Sequence, residues 1–509
     1  MGSLVSPRYS LMPWLLYPVP KTLREETLQV IDSTQAKRAD PLFQDHVRLL
    51  KNSVLLRCSG GAHRMMGEQS RSESLFYYFR LEEQIPEDHL LRMLDRYIDF
   101  SFVRERLKGF YSSTGRPSID PEVLLRLLLV GYMYGITSER RLLDEVRMHL
   151  AYRWFTRLDF NAEIPDHSTF SKNRHGRFRQ SRVFREVFEE IVRRCVEAGL
   201  VKGETLAVDG TMVAADASQH SRIRREELRD AAQVSRTVQQ YLAELEQANP
   251  VANPALVSTT DPDALLATKG GGSVRMAYYD NYLIDTSSRV ILEVEATPAL
   301  FHQEIAAARR MMEGIEKLGL RPKNLAADKA YGSGEFLAWL MARGVEPHIP
   351  VIDRRHQTGG RFTHDQFSYE PAENAYYCPE GKALRYRGLK IKAQSYSYCS
   401  TEAQCQGCPQ KKRCTPGTYR RLSIHWDETA RQAVRALVGT PAYERSHRAR
   451  YKIEALFAEL KQRMGLRRVR LRRLWNVSEQ FLLAATAQNL KRLVRFLVQQ
   501  KPSPALSGA

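Results

Sequence analysis

The chain changes texture at Gly203, and that change constrains its fold more than any other feature. Before it, residues 85–200 repeat their apolar positions at helical spacing, as in Pro86–Leu94 and Ile119–Val130, with Asp and Pro where helices start. After it come short apolar runs that end in Asp and Gly. Two stretches of alternating character, Val274–Ile284 and Val290–Ala296, flank the turn-like Asp285–Arg289. Helical patterns at about 219–248 and 302–318 and a strand within Glu346–Ile352 complete a mixed α/β unit. The Arg-rich helices upstream include Asp166, His167, Ser168, Thr169 and Phe170 and a long basic helix over about 178–198. They suit either helix-turn-helix DNA binding or an ordinary bundle.

The chain's 509 residues suffice for several domains, and its 77 basic against 58 acidic residues leave a net charge of +19. Such an excess favours polyanions through counterion release, so nucleic acid leads over acidic small molecules. The most apolar stretch, Leu124–Ile136, contains Arg126, and no membrane span is expected. Residues 1–64 read either as an extension with translation starting near Met65 or Met66, or as an ordinary N-terminal segment. The final residues, 499–509, form a tail.

Seven cysteines without a secretory signal point to a reducing compartment, the cytoplasm. Cys58 and Cys195 are isolated, whereas five lie between Cys378 and Cys414, inside an insertion over 353–425. Cys405 and Cys408, with two residues between them, and Cys414 have the spacing of ligands to one tetrahedral ion. Cys378 is preferred to Cys399 as the fourth thiolate of a structural zinc site, free or redox-active cysteines being the alternative.

Near the C-terminus, Ile453, Leu456, Phe457 and Leu460 give the stretch from His447 to Lys461 an amphipathic helical pattern. At 3.6 residues per turn, His447, Arg450, Glu454 and Lys461 share an arc of about 60° beside the apolar stripe. Glu459 falls on the far side, toward solvent. Taken alone, this is either a salt-bridged surface helix or one that presents a metal-binding carboxylate to a phosphate chain. Asp209 and Asp328 give Glu454 its partners, because each stands where an apolar strand meets a Gly-bearing turn. Three carboxylates from such elements can hold two Mg²⁺ (or Mn²⁺) ions about 3.5–4 Å apart for an in-line displacement at phosphorus. Six arginines crowd positions 463–473, among them Arg467, Arg468 and Arg470, which suits phosphate binding.

These motifs resemble those of DDE transposases of the IS4/IS5-like group, closest to the IS1182 insertion-sequence family. Val208-Asp209-Gly210-Thr211 resembles the first-aspartate motif, and Ala327-Asp328 through Tyr331-Gly332 the second. Arg450, Glu454 and Lys461 are in register with the signature Tyr-x2-Arg-x3-Glu-x6-Lys, although His447 replaces its Tyr. Arg473 stands where Gly is frequent. The resemblance covers about residues 66–498 and includes the cysteine-rich insertion. It implies a helical N-terminal domain (65–200) and an RNase H-like catalytic core (201–352). The insertion (353–425) would precede a catalytic-helix region (426–498). It further implies Mg²⁺-dependent hydrolysis at transposon ends and strand transfer into target DNA. The partners would be terminal inverted repeats, target DNA and a second copy of the chain. Arg450 and Lys461 would grip phosphates near the scissile bond. An inactive or domesticated DNA-binding relative and a nuclease without strand transfer are the alternatives.

Overall fold

The computed structural model describes residues 78–500 except 113, 115–117, 248–254, 269–271, 301–302 and 353–358; the expected extension and residues 501–509 lie outside the described residues. Helices α1 (Leu90–Tyr97), α2 (Phe102–Leu107), α3 (Pro121–Met133), α4 (Glu139–Met148), α5 (Leu150–Phe155), α6 (His167–Asn173) and α7 (Val183–Glu197) come first. Their starts follow from the sequence. Asp120 accepts from Glu122 N at 2.8 Å ahead of Pro121, and Asp166 accepts from Ser168 N at 2.8 Å. The long basic helix expected over 178–198 is broken, because Arg182 adopts a left-handed backbone (φ 56°) and α7 begins after it.

The sheet begins with β1 (Thr205–Ala214), followed by a ribbon of β2 (Arg222–Arg224) and β3 (Leu256–Ser258) and the helices α8 (Leu228–Val234) and α9 (Arg236–Gln247). Next come β4 (Leu265–Ala267), β5 (Arg275–Asp285), β6 (Ile291–Pro298), α10 (Gln303–Glu316), β7 (Asn324–Ala326), α11 (Gly334–Ala342) and β8 (Glu346–His348). In space the order is β6-β5-β1-β7-β8, and β4 also pairs with β5. β5 runs antiparallel to β1 and β6, whereas β7 is parallel to both β1 and β8. The parallel strands are the ones separated by helices, as crossover connections require.

The insertion is an antiparallel meander of β9 (Ser368–Glu370), β10 (Ala375–Tyr377), β11 (Ala383–Lys390), β12 (Ser395–Cys399) and β13 (Arg421–His425). It has its own small core around Phe362, Leu384, Tyr398 and Leu422. The chain then forms α12 (Glu428–Leu437), α13 (Pro441–Ala458), a π-turn at Glu459–Arg463 and α14 (Leu474–Gln500). A mixed α/β architecture is therefore observed, as expected. Among the described residues no helix is long and apolar enough to cross a membrane.

The sequence suggests one core-facing stripe on the last helix, yet α14 is buried almost all round from Gln480 to Leu490. It packs against α7, β6, α3 and α1. Its buried amides are spent on backbone: Asn489 accepts from Ile291 N (2.9 Å) and donates to Ile291 O (2.7 Å), while Gln488 donates to Leu456 O (2.9 Å). A buried amide left unpaired costs about 1–3 kcal/mol, so these bonds fix α14 in one register against β6 and α13.

Arg473, just before α14, has φ 78°, a backbone region that suits glycine. The surroundings compensate: its N–H donates to Asp261 Oδ1 (2.9 Å) and its Nε to Asp263 Oδ2 (2.8 Å). Arg473→Ala loses the ion pair and keeps the strain, whereas Arg473→Gly loses the pair and relieves it. We expect the glycine variant to be the more stable of the two by about 1 kcal/mol in urea unfolding; equal midpoints would contradict strain at this position.

Candidate active site

Asp209 lies in the middle of β1, which pairs in parallel with β7. Thr205 pairs with Asn324 and Ala207 with Ala326, and Asp209 and Asp328 each follow this paired segment by two residues. β7 stops at Ala326, and Asp328 caps the following 3-10 turn by accepting from Ala330 N at 2.8 Å. The same edge of β1 is next met at Ala214, whose N donates to Arg467 O (3.1 Å) and whose O accepts from Val469 N (2.8 Å). Between these two contacts the edge of the sheet forms a notch.

α13 crosses β1 at this place. A cleft of about 670 Å³ opens there, lined by Asp209, Thr211, Arg275, Glu454, Lys461 and Arg467 among others. Asp209 Oδ1 accepts from Gly210 N (2.8 Å) and Oδ2 from Arg450 Nη1 (3.3 Å); Arg450 Nη2 also reaches Glu454 Oε1 (3.6 Å). Glu454 is half exposed, whereas Arg450 and Asp209 are largely buried. Lys461 Nζ donates to Thr211 Oγ1 at 2.6 Å. The π-turn beginning at Glu459 holds one residue more per turn than the preceding α-helix, and it carries Lys461.

Among the described residues no three His, Cys, Asp or Glu side chains are drawn close enough to hold an ion. The donor chemistry nevertheless suits a hard divalent cation, since carboxylate oxygens face the cleft. The Arg450 guanidinium lies between Asp209 and Glu454 and offsets the charge of both.

Other expected residues are placed differently. Glu459 does not face solvent: it lies beneath α14, paired with Lys491 (3.3 Å) and Arg492 (3.1 Å) and accepting from Gln488. Burial would raise its carboxyl, but the two cations outweigh burial and hold it below the usual range. Helix α14 covers the side that angular spacing alone leaves open. Arg470 turns inward rather than toward a phosphate, donating to Met464 O (3.0 Å) and Ile136 O (3.4 Å) over the Tyr132 ring. Arg472 pairs with Asp216 (3.1 Å) and Arg473 with Asp263, while Arg463, Arg467 and Arg468 are exposed. His447 stands outside the cleft lining, with ring centroids 6.2 Å from both Tyr443 and Tyr451. The sequence reading assigned no role to Thr211, Arg275 or Tyr331; Thr211 and Tyr331 at least lie within the two aspartate motifs.

In the insertion, Cys378 accepts from Lys382 N (3.3 Å), and Cys408 N donates to Cys405 O (3.4 Å). Burial first, and then the neighbouring Cys405, Cys378 and Cys408, push the Cys414 thiol up, with Arg420 opposing. Cys399 instead lies on β12, next to Arg421 in the cross-strand register. Cys195 is buried in α7, where burial pushes its thiol up to about 12.

Two family models match the chain: a "Transposase domain (DUF772)" over residues 79–176 and a "Transposase DDE domain" over 377–494. The second match includes Glu454 and the five clustered cysteines from Cys378 to Cys414, and starts at the end of β10. A piggyBac transposase, solved as a synaptic complex with hairpin DNA, aligns at 9% identity over 82% of each chain with a TM-score of 0.29, too distant to define the fold. The family matches define the class: a DNA transposase with a DDE domain, an enzyme that cuts DNA and transfers strands. DNA is its partner, and its DDE domain implies a need for divalent metal.

The arginines separate by orientation. Arg467→Gln should reduce the slope of log affinity for DNA against log salt by about one. Arg470→Gln should leave that slope unchanged and lower the urea midpoint. The reverse pattern would contradict the placement of both side chains.

Proposed function

We propose that this chain is the transposase of an IS1182-type insertion sequence, with Asp209, Asp328 and Glu454 as its catalytic acids. The observation that supports this reading is the cleft lined by Asp209, Glu454 and Lys461, with the β1–β7 pairing ending two residues before Asp209 and Asp328 alike. The order β6-β5-β1-β7-β8, with three antiparallel strands followed by two parallel ones, supports an RNase H-like core. Asp209, Asp328 and Glu454 would hold Mg²⁺ (or Mn²⁺). Divalent ions bound there supply Lewis acidity for in-line displacement at phosphorus.

The chain's own residues do the rest. Lys461, held by Thr211, and the exposed Arg467 and Arg468 bind the backbone of the transposon end. Arg450 passes from its carboxylate partners to a phosphate oxygen as negative charge enters the cleft. A guanidinium suits that exchange, because its planar donors match carboxylate and phosphate alike. His447, stacked on Tyr443, adds a donor farther along α13. The helical N-terminal part binds terminal-repeat DNA, and two copies act together on a pair of ends, on chromosomal DNA in the cytoplasm. Cys378, Cys405, Cys408 and Cys414 would hold a structural Zn²⁺ that ties the meander together.

Asp209→Asn, Asp328→Asn and Glu454→Gln should each abolish Mg²⁺-dependent cleavage of the flanking inverted repeats while leaving DNA binding within about twofold. Full cleavage by Glu454→Gln would refute its assignment. Wild-type binding without cleavage would turn the reading to a DNA-binding relative, and cleavage without joined products in a plasmid assay to a nuclease. Metal analysis of the purified protein should find one zinc per chain, lost on Cys405→Ser; metal-free protein with an intact meander would dismiss the zinc site.

A further inference from the structure

A fourth carboxylate approaches β1 from α10. Glu304 reaches Gly210 so closely that a Cβ built there would stand 2.7 Å from its Oε1 and 2.7 Å from Asn281 Oδ1. Real Cβ contacts do not occur at such distances, so Glu304 can occupy this position only because residue 210 is glycine. Gly210 follows Asp209 directly, and successive side chains point to opposite faces of a strand. Asp209 and Glu304 therefore flank one peptide unit from its two sides.

The second observation is Tyr331. It belongs to the turn that Asp328 caps, is 1% exposed, and its hydroxyl has no hydrogen-bond partner among the described residues. Buried hydroxyls are almost always bonded. After burial itself, Glu304, Asp209 and Asp328, in that order, oppose its ionisation. An unbonded buried donor among three acids marks a place for a ligand oxygen. Asp209 Oδ1 accepts from Gly210 N (2.8 Å), so both carboxylates lie against the same glycine.

We propose that Glu304 is a fourth carboxylate of the metal centre, helping Asp209 and Asp328 to hold a divalent cation, with the Tyr331 hydroxyl bonded to an oxygen of the cation's hydration shell. Gly210 is then the residue that admits Glu304. This rests on the DDE reading above, and the test separates the two.

Mn²⁺ is titrated into the full-length protein without DNA, and binding is read from the electron paramagnetic resonance of the free ion. A parallel thermal scan reports the rise in Tm caused by Mn²⁺. Glu304→Gln should weaken Mn²⁺ binding about tenfold and reduce the Tm rise, as Asp209→Asn does. Unchanged Mn²⁺ affinity in Glu304→Gln with a loss in Asp209→Asn would overturn the role of Glu304 and keep the DDE reading. Unchanged affinity in both would overturn both. Should Glu304→Gln fail to fold, Tyr331→Phe serves instead: a severalfold loss of Mn²⁺ affinity supports the proposal and wild-type affinity overturns it.

Discussion

The parallel pairing of β1 with β7 is the constraint on which the candidate site depends. It spans only Thr205–Ala207 and Asn324–Ala326, yet Asp209 and Asp328 both follow directly on it, two residues beyond its end. A slip of one residue would turn Asp328 to the other face of the sheet. The register is secured from both sides, since β1 also pairs with β5 from Leu206 to Ala214, and Leu325 and Ala326 are fully buried. Parallel strands buried on both faces hold register through side-chain packing, which a polar substitution there would disturb.

A second constraint is electrostatic. The cleft gathers carboxylates and cations in a chain of net positive charge, and Arg450 offsets Asp209 and Glu454 together. Glu459, only five positions beyond Glu454, is drawn into a different set of cations under α14. One helix thus carries an acid open to the cleft and an acid committed to the core. Their separation follows from helical geometry, but their fates follow from what packs on each side.

The sequence disclosed the strand-and-turn setting of both aspartates and the helix bearing Glu454, because each rests on local periodicity. The meander was legible only as an insertion rich in Tyr and Cys. The errors were of another kind. Glu459 reads as solvent-facing because its partners Lys491 and Arg492 lie some 30 residues later, on an element whose docking no local pattern reveals. Arg470 looked like one more cation of a run, yet its guanidinium is claimed by the Met464 and Ile136 carbonyls. The break at Arg182 and the π-turn at Glu459 interrupt patterns that read as continuous. Glu304 left no trace, since a lone acid in the first turn of a helix is also the ordinary response to the helix dipole.

The turn after α3 touches the π-turn that ends α13 so closely that it leaves no room for a side chain: a Cβ on Gly135 would stand 2.2 Å from Arg463 O, and one on Gly465 2.6 Å from Thr137 Cγ2. Two glycines with left-handed backbones, φ 69° and 72°, thus interlock the helical part with the segment that follows Glu454. Such a joint works as a ruler. The offset of the helical part from the cleft is set by backbone rather than by pliable side chains.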